Sequence, residues 1–520
     1  MMRLRYEPDP DWPSLAWLAI CGRSSREIVV RHGTGVETHP EWFAEAVWAG
    51  PYDAGNLDCT DIVFGSGARL RDDQIIFVSA ASTVDRLQSF ADPAGVMISN
   101  SLPCLLHATG TTLNPEYTGY ARGFRSIVRG VRRYRAELPT TDGPIRLTYY
   151  GNLRWDGHAL RDESKPIVPR AFTSFARYHG FLDSCLERMV TNMTDANRSR
   201  PYQLMGTMSA GYDSPTVAVL GMQHGLREVL SFERYDLDPD SGAPLARKLG
   251  LRVLRVPRDA WKNEPPYPEV PFLAADAKGE DVFVRGAGHL LEGRVLLTGY
   301  HGDKVWDRDT SALSPDLVRG DQSGLSLSEY RLRAGFIHCP VPFLGARQIR
   351  DIHAISQSAE MAPWDTAGRY SRPICRRIVE KAGIPRTSFG VEKRVASVLF
   401  FDRMSFLTPG SLADYERWLS AHRGGKHPAL SKRIMTSALH PLMRGAAHAM
   451  RRAATRSPKT LADILVRGSA RITALTRREP RFRHLLPWAI EHAIQVYATS
   501  PFQTRRCSPP HSQQGASRVG

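Results

Sequence analysis

The chain has 520 residues, of which 42% are hydrophobic and 23% charged, a balance typical of globular proteins, and its length predicts two or three domains. No run of about 18 apolar residues occurs, and the N-terminus lacks the apolar stretch of a secretion signal, so we expect a cytoplasmic protein. Seven scattered cysteines without a C-x-x-C pair exclude a zinc ribbon or a disulfide scaffold.

The net charge of +16 is concentrated near the C-terminus. Residues 421–520 hold 18 Lys and Arg against 3 Asp and Glu, whereas the rest of the chain is nearly neutral. We expect a basic helical extension over 421–499, separable from any catalytic domain, and a disordered tail over 500–520. The amphipathic stretch 441–456 is either a docked surface helix or a contact for an acidic partner or an anionic membrane surface.

Residues 1–160 are predicted to be rich in β-strands. Short apolar or alternating runs, each bounded by Gly, Asp or Ser, are typical of strands in antiparallel sheets. These runs cover residues 15–20, 27–32, 61–70, 74–80 and 145–155.

From residue 171 onwards the periodicity changes. Apolar residues three and four apart over 175–193 predict an amphipathic helix. Strand-like and helix-like segments then alternate, which predicts a doubly wound parallel α/β sheet within a domain spanning 171–420. The strand-like segments are 202–208, 228–233, 252–257 and 294–299, and the helix-like segments are 215–225 and 242–250.

The sharpest motif is the segment Ser-Ala-Gly-Tyr-Asp-Ser at residues 209–214, between a predicted strand and a helix with Pro215 in its first turn. Backbone N–H groups at a helix start, small residues and two hydroxyls favour binding of a phosphate. Asp213 would repel phosphate unless a cation lay between them, so it is a candidate Mg²⁺ ligand. The alternative is an ordinary helix start capped by Asp or Ser.

This segment resembles the S-G-G-x-D-S pyrophosphate-binding loop of the asparagine-synthetase family, with Ala210 in place of the second-position Gly. Residues 296–307 resemble the family's second signature, in which Thr298 and Gly299 match the opening Ser-Gly and Asp303 matches a second Mg²⁺-binding Asp. Three positions depart from the family pattern of Glu, Gly and Glu, namely Tyr300, His301 and Lys304.

The resemblance implies that the two loops bind ATP and Mg²⁺. It assigns Asp213 and Asp303 to the metal, and Tyr300 and His301 to the side from which the acceptor amine attacks. It also makes Lys393 the candidate cation that stabilises developing negative charge, although a solvated helix face would explain a lysine there as well. The nucleotide-binding residues implied are Ser209, Ala210, Gly211, Asp213, Ser214, Thr298 and Gly299.

The N-terminal third is similar to a class II glutamine amidotransferase domain. Such a domain needs a Cys directly after the initiator Met, because the free α-amine of that Cys serves as the base for its thiol. Here Met2 and Arg3 follow Met1, and Cys21 lies in a strand-like run where a core role is the simpler interpretation. The resemblance therefore implies a degenerate domain without glutaminase activity.

Together these features predict ATP-dependent, AMP-forming activation of a small-molecule or peptide carboxylate, followed by amide-bond formation with an amine. Asparagine synthesis is one candidate, and a specialised ring-closing synthetase of the lasso-peptide or β-lactam type is another. A non-catalytic nucleotide-binding protein of the same fold is the third. No aromatic-interleaved basic motif appears, so we expect no nucleic-acid partner.

Overall fold

The computed structural model describes most of the first 391 residues and two later segments. The described residues are 1–114, 116–234, 238, 240–264, 266–311, 313–366, 370–391, 407–422 and 484–498, with scattered residues between 445 and 472. The candidate Lys393, the predicted tail 500–520 and part of the stretch 441–456 lie outside them. Within the described residues, no helix is both long and apolar enough to cross a membrane.

The N-terminal 163 residues form two β-sheets, which we call the sandwich. The seven-stranded sheet has the order β1-β3-β2-β9-β8-β11-β10, and the six-stranded sheet has the order β13-β12-β7-β6-β5-β4. The strands are β1 (Arg3–Pro8), β2 (Trp17–Gly22), β3 (Glu27–His32), β4 (Glu37–Thr38), β5 (Trp42–Trp48), β6 (Val63–Arg71), β7 (Gln74–Val78), β8 (Leu87–Asp92), β9 (Gly95–Ser99), β10 (Glu137–Leu138), β11 (Ile145–Thr148), β12 (Asn152–Trp155) and β13 (Leu160–Glu163).

The two sheets pack face to face through alternating inward side chains. Trp17 of the first sheet stacks on Phe77 of the second with ring centroids 6.2 Å apart, and its indole N–H donates to Ser66 Oγ at 3.0 Å. The prediction of one continuous strand over 145–155 is wrong. Tyr150 has a φ of 64°, so the chain turns there and divides the run into β11 and β12, which belong to different sheets.

The second half contains a five-stranded sheet in which all neighbours are parallel, so the chain is a mixed α/β protein. The strand order is β16-β15-β14-β17-β18. Four of these strands match predicted segments to within one residue at either end, whereas the short fifth strand was not predicted. The strands are β14 (Gln203–Thr207), β15 (Glu228–Glu233), β16 (Arg252–Pro257), β17 (Arg294–Thr298) and β18 (Ile337–Pro340).

Helices cover the sheets and connect them. The helix predicted over 175–193 is confirmed at both ends, and Ser174 caps it by accepting from Arg177 N at 3.3 Å. The α-helices are α1 (Leu102–Thr109), α2 (Tyr120–Arg125), α3 (Phe175–Met193), α4 (Asp213–Met222), α5 (Ala243–Lys248), α6 (Val270–Asp276), α7 (Gly302–Val305), α8 (Leu327–Ala334), α9 (Ile349–Gln357), α10 (Pro373–Lys381), α11 (Pro409–His422) and α12 (Leu485–Ile494). Short 3-10 turns lie at Leu57–Cys59, Ser126–Arg129, Ala260–Asn263, Val282–Leu290, Val341–Phe343, Ala346–Gln348, Ala359–Trp364, Arg386–Ser388 and Gln495–Tyr497.

Helix α12 packs into the body of the protein, against both α6 and α1. The Trp488 indole is fully buried and donates to Asp414 at 2.9 Å. Tyr497, just beyond the helix, donates its hydroxyl to Ser101 Oγ at 3.0 Å. The far end of the predicted basic extension is therefore part of the core, and the expectation of a separable tail does not hold for residues 484–498.

A buried charged network joins the sandwich to the parallel-sheet unit, by which we mean residues 175–391. Arg331 of α8 pairs with Glu45 of β5 at 2.6 Å and with Asp85 at 2.9 Å. Glu329, two residues earlier in the same helix, accepts from Ser101 Oγ and from Leu102 N at the start of α1. Since breaking a buried ion pair usually costs about 3–5 kcal/mol, this network fixes how the two units meet.

Candidate functional site

The carboxyl ends of β14 and β17 lie side by side, where the order of the parallel sheet reverses. In open parallel sheets this reversal leaves a crevice between the loops that follow the two strands. The first loop, residues 209–214, follows β14, and the second loop, residues 298–304, follows β17. Both motifs found in the sequence therefore lie at the same edge of the sheet.

The first loop is held by its own hydroxyls. Ser209 N donates to Ser214 Oγ at 2.9 Å, the two serine hydroxyls lie 2.9 Å apart, and Gly211 N donates to Ser209 Oγ at 3.3 Å. Helix α4 then begins at Asp213, and within the described residues its start has no side-chain cap. The N–H groups of its first turn have no intrahelical acceptor and lie close to two hydroxyls, an arrangement that favours anions in general.

The two loops touch each other through glycines. A Cβ placed on Gly299 would lie 2.5 Å from Asp213 Cβ, and one placed on Gly302 would lie 2.6 Å from Asp213 Oδ1. Neither position has room for a side chain. The two glycines thus allow Asp213 of the first loop to lie directly against the second loop.

Asp213 forms an ion pair with Arg372, which precedes α10. Arg372 is 2% exposed, and its guanidinium lies over the rings of Tyr212 at 5.8 Å and Tyr370 at 5.3 Å. Burial opposes its charge, but the Asp213 carboxylate outweighs that effect and raises the pKa of Arg372. A permanent cation therefore lies at the carboxylate that the sequence assigns to a metal.

His301 is the strained residue of the second loop. Its φ of 76° is in the left-handed region, where a residue other than Gly costs about 1–3 kcal/mol. The imidazole is 4% exposed and stacks on Phe343 with ring centroids 4.6 Å apart. Burial, reinforced by Arg319, lowers the pKa of His301 to about 3, so the ring is neutral at neutral pH.

Tyr300 points towards a buried acid. Its hydroxyl donates to Asp281 Oδ1 at 3.1 Å, while Asp281 Oδ2 accepts from Ser326 Oγ at 2.6 Å and Gly324 N at 2.9 Å. Burial raises the pKa of Asp281 to about 6, and burial together with Asp281 raises the pKa of Tyr300 further above its usual range. Tyr300 is therefore a hydrogen-bond donor at neutral pH.

Thr298, at the end of β17, is buried. Its hydroxyl lies 2.9 Å from His338 Nε2 of β18, and the His338 ring meets Tyr300 edge to face with centroids 5.5 Å apart. Burial lowers the pKa of His338 to about 3. These contacts fix the base of the second loop against the neighbouring strand.

Asp303 and the partly exposed Lys304 lie on the single turn of α7. A Cβ placed on Gly320 would lie 3.1 Å from Asp303 Oδ2 and 2.6 Å from Lys304 Cε, so the segment around residue 320 borders this turn. Gly390, three residues before the candidate Lys393, donates its N–H to Ala210 O at 2.9 Å. The last described turn before Lys393 thus touches the first loop.

Two residues near the start of the sandwich, Met2 and Cys21, are buried. Met2 is 7% exposed and packs in the core between the sheets. Cys21 lies within β2 and is 1% exposed, and burial raises the pKa of its thiol well above the usual range. The core role expected for Cys21 agrees with this position, and within the first strands no exposed thiol lies next to an α-amine.

Sequence reasoning missed three charged residues that border the site, Arg372, Asp281 and Arg319. None belongs to a spaced motif, and each is far along the chain from the loop that it serves. Arg372 is the first residue of a basic run, in which only Lys393 was singled out. Their roles depend on packing between distant segments, for which a single sequence gives no signal.

Comparison with known proteins adds little to this geometry. No family model matches the chain, and no curated protein matches it either. Twenty chains of solved structures match. One is a predicted subunit of a tRNA methyltransferase from Methanocaldococcus jannaschii, with 15% identity, a TM-score of 0.17, and coverage of 38% of this chain and 96% of that one. At that TM-score we infer nothing about fold or function from it.

Proposed function

We propose that this chain is an ATP-dependent, AMP-forming synthetase of the asparagine-synthetase type, which activates a carboxylate and joins it to an amine. One observation carries the proposal. The first and second loops follow adjacent parallel strands at the reversal of strand order, and they meet at Asp213 through Gly299 and Gly302. In this proposal the parallel sheet is a doubly wound sheet of the ATP-pyrophosphatase type, and the sandwich is a degenerate glutamine-amidotransferase domain.

Asp213 and Asp303 fit Mg²⁺ carried by ATP. Mg²⁺ in nucleotide sites usually has one or two carboxylate ligands, the remaining ligands being phosphate oxygens and water. When bound, the metal would neutralise the phosphates and the pyrophosphate leaving group.

The remaining residues of the first loop would bind the phosphates. The hydroxyls of Ser209 and Ser214 and the start of α4 all face one edge of the sheet, and together they offer several donors to an anion. Arg372 lies beside Asp213 and would stabilise the charge that develops on the leaving group. Lys393 remains a second candidate for this role.

The two residues expected on the acceptor side, Tyr300 and His301, are uncharged at neutral pH. With a pKa near 3, His301 is a weak base, and Tyr300 already donates its proton to Asp281. These two residues are therefore better suited to positioning the amine and excluding water than to removing its proton. In the proposal their role is limited to positioning.

The amine is proposed to come from the acceptor substrate or from free ammonia. The strand-bound Cys21 supports this, because its thiol is buried and hydrolysis of glutamine needs an exposed thiol. This condition favours a specialised amide-forming enzyme over a glutamine-dependent asparagine synthetase.

The test is exchange of labelled pyrophosphate into ATP, screened over amino acids, dicarboxylic acids and short peptides. Exchange that depends on one acid, together with AMP as the product when an amine is added, supports the proposal. Formation of ADP during turnover would refute it. A chain that binds ATP but gives no exchange with any acid would be the non-catalytic nucleotide-binding protein. This is the main alternative, because Arg372 already pairs with Asp213, the carboxylate proposed to bind Mg²⁺.

A further inference from the structure

Six arginines lie on one stretch of the sandwich, residues 122–135, which we call the arginine surface. All six are exposed, and the stretch contains no Asp or Glu. It runs from α2 through the 3-10 turn that continues this helix and into the loop beyond. The six residues are Arg122, Arg125, Arg129, Arg132, Arg133 and Arg135.

Most of this charge is not neutralised within the part of the chain that the structure describes. Arg132 pairs with Asp316 at 3.2 Å, whereas the other five arginines have no ion pair there. Arg122, Arg125 and Arg129 are three and four positions apart on helical backbone, a spacing at which like charges destabilise a helix. Stabilisation of the helix end would explain Arg129, but not the three arginines that follow it. The surface therefore lacks a counter-charge that an anionic ligand would supply.

The backbone beneath the arginine surface is held in place by hydrogen bonds. Ser126 Oγ donates to Gly123 O at 2.6 Å and accepts from Arg135 N at 2.7 Å. The hydroxyl of Tyr134 donates to Leu147 O of β11 at 3.1 Å. The charged side chains therefore extend from a fixed scaffold, and binding would not have to order the backbone.

The arginine surface exposes no aromatic or large apolar side chain. Phe124 and Ile127 are at most 1% exposed, and Tyr134 packs edge to face on Tyr149 with ring centroids 5.2 Å apart. Proteins that bind single-stranded nucleic acid usually stack the bases on aromatic rings, and interfacial membrane helices insert apolar side chains. Because the surface has neither feature, the favoured counter-charge is the carboxylates of an acidic peptide.

The arginine surface lies next to the second loop. Two backbone hydrogen bonds join it to the segment 316–319. They run from Val131 N to Asp316 O at 2.8 Å and from Arg319 N to Val128 O at 2.9 Å. The next residue, Gly320, is exposed and borders the second loop, since a Cβ placed there would lie 3.1 Å from Asp303 Oδ2 and 2.6 Å from Lys304 Cε. A ligand that extends from the second loop across this segment therefore reaches the arginine surface.

The length of the arginine surface distinguishes a peptide from a small molecule. From Arg122 to Arg129 the helical backbone rises about 10–14 Å, at 1.5–2.0 Å per residue. About four residues of an extended peptide span the same distance. A small carboxylate bound at the second loop cannot also cover this surface, whereas a peptide can.

We propose that the arginine surface binds an acidic segment of a peptide substrate whose reacting group lies at the second loop. The inference rests on the proposed function and names its substrate class, a peptide in place of a free amino acid. The basic residues 421–520 offer no such acidic segment, and a second copy of the chain would repel the surface with its net charge of +16.

The test is fluorescence anisotropy of labelled octaglutamate titrated with the full chain, without ATP or Mg²⁺. Octaglutamine, which has the same length and uncharged side chains, is the ligand control. We expect octaglutamate to bind with an affinity that falls as salt rises, and octaglutamine not to bind. The triple variant Arg125→Gln, Arg129→Gln and Arg133→Gln should weaken binding by about tenfold or more, because it removes three charge-assisted contacts.

A second triple variant removes the same charge elsewhere on the protein. Arg23, Arg177 and Arg188 are exposed and have no ion pair among the described residues, so replacing all three with Gln is the matched control. The control should keep the wild-type affinity, which separates the arginine surface from net charge and from the basic residues 421–520. Absence of octaglutamate binding, equal loss in both variants, or tighter binding of a single-stranded oligonucleotide of equal charge would overturn the inference.

The link to the synthetase reaction has a kinetic readout. Peptide carboxylates that carry a run of glutamates should support pyrophosphate exchange with a KM about tenfold lower than the same peptides with glutamines. The first triple variant should abolish this difference without changing kcat, and a difference that persists in it would contradict the inference. Octaglutamate binding without any exchange would refute only the proposed function, whereas exchange without octaglutamate binding would refute only the role of the arginine surface.

Discussion

The sandwich and the parallel-sheet unit place their polar groups at different depths. The parallel sheet presents Ser209, Ser214 and Asp213 at its carboxyl edge, all partly exposed. The sandwich buries Met2 in its core and holds Cys21 in a paired strand. From this difference we expect the proposed nucleotide chemistry to lie in the parallel-sheet unit, and the sandwich to contribute to it only through the surface that the two share.

The largest expected effect comes from removing the helix that contacts both units. A chain ending at residue 422 lacks α12 and loses the buried side chains of Leu485, Trp488 and Tyr497. Each such loss costs about 2–5 kcal/mol, so together they approach the whole stability of a typical domain. We expect no cooperative thermal melt by circular dichroism, whereas a chain ending at residue 498 should melt cooperatively. Normal melting and exchange by the shorter chain would instead make the two units independent of α12.

The next largest loss of activity is expected at the carboxyl edge of the parallel sheet. Asp213→Asn and Asp303→Asn should each lower pyrophosphate exchange by about 100-fold or more, because stabilisation of the leaving group by a metal is worth several kcal/mol. Asp303→Asn should keep its fold because its carboxylate is partly exposed, whereas Asp213→Asn leaves the buried Arg372 without its carboxylate and should also lower the melting temperature. The control is Asp183→Asn on α3, which removes a carboxylate that forms a hydrogen bond with His224 at 2.8 Å. This variant should retain full activity. Activity of Asp213→Asn close to that of the wild type would contradict the placement of chemistry at this edge.

A smaller effect is expected at Arg372. Arg372→Gln should lower kcat for pyrophosphate exchange by about tenfold with little change in the KM for ATP, because the proposed role of Arg372 is to stabilise charge that develops on the leaving group. Arg377→Gln on the neighbouring helix α10 is the control, since Arg377 pairs with Glu360 at 2.6 Å instead of a loop residue. Tighter ATP binding by Arg372→Gln would indicate that Arg372 blocks the site in the free protein.

The buried second loop should be visible in the pH dependence of stability. His301 takes up its proton near pH 6.5 when unfolded and near pH 3 when folded, so between these values the unfolded state binds more protons and stability falls as pH falls. Asn tolerates the left-handed backbone and does not titrate. As pH falls, the wild type should therefore lose stability relative to His301→Asn. The loss in unfolding free energy should be up to about 1.4 kcal/mol per pH unit. Urea titrations at about pH 7 and about pH 5 measure it, and a constant difference would mean that His301 is hydrated.

The smallest effect is expected in the sandwich. Cys21→Ser should leave exchange and amide formation unchanged, because the thiol is buried within β2. Purified protein incubated with glutamine should release no glutamate, with or without ATP. Glutamate release that disappears in Cys21→Ser would show that the sandwich holds a working nucleophile.

Much of the chain was predictable wherever a local pattern decides the structure. The strands Glu27–His32, Glu228–Glu233 and Arg252–Pro257 and the helix Phe175–Met193 match their predicted bounds, because apolar periodicity and turn residues mark both ends. The strand Ile337–Pro340 was missed because four buried residues give no usable period.

The two loops could be identified because each is a local sequence motif, but the residues that contact them could not. Arg372 reaches Asp213 from another part of the chain, and the burial that makes His301 neutral depends on Phe343 and Arg319. Protonation states and ion pairs of this kind follow from tertiary packing, which periodicity and motif spacing do not encode.

The position of α12 also bears on how the protein is made. The apolar faces of α1 and α6, which this helix covers, are synthesised well before it. About 200 residues separate α6 from α12, so at roughly 5–20 residues per second the ribosome takes some 10–40 s to produce the missing cover. During that interval the nascent chain exposes both apolar faces to water, which makes the incomplete chain prone to aggregation.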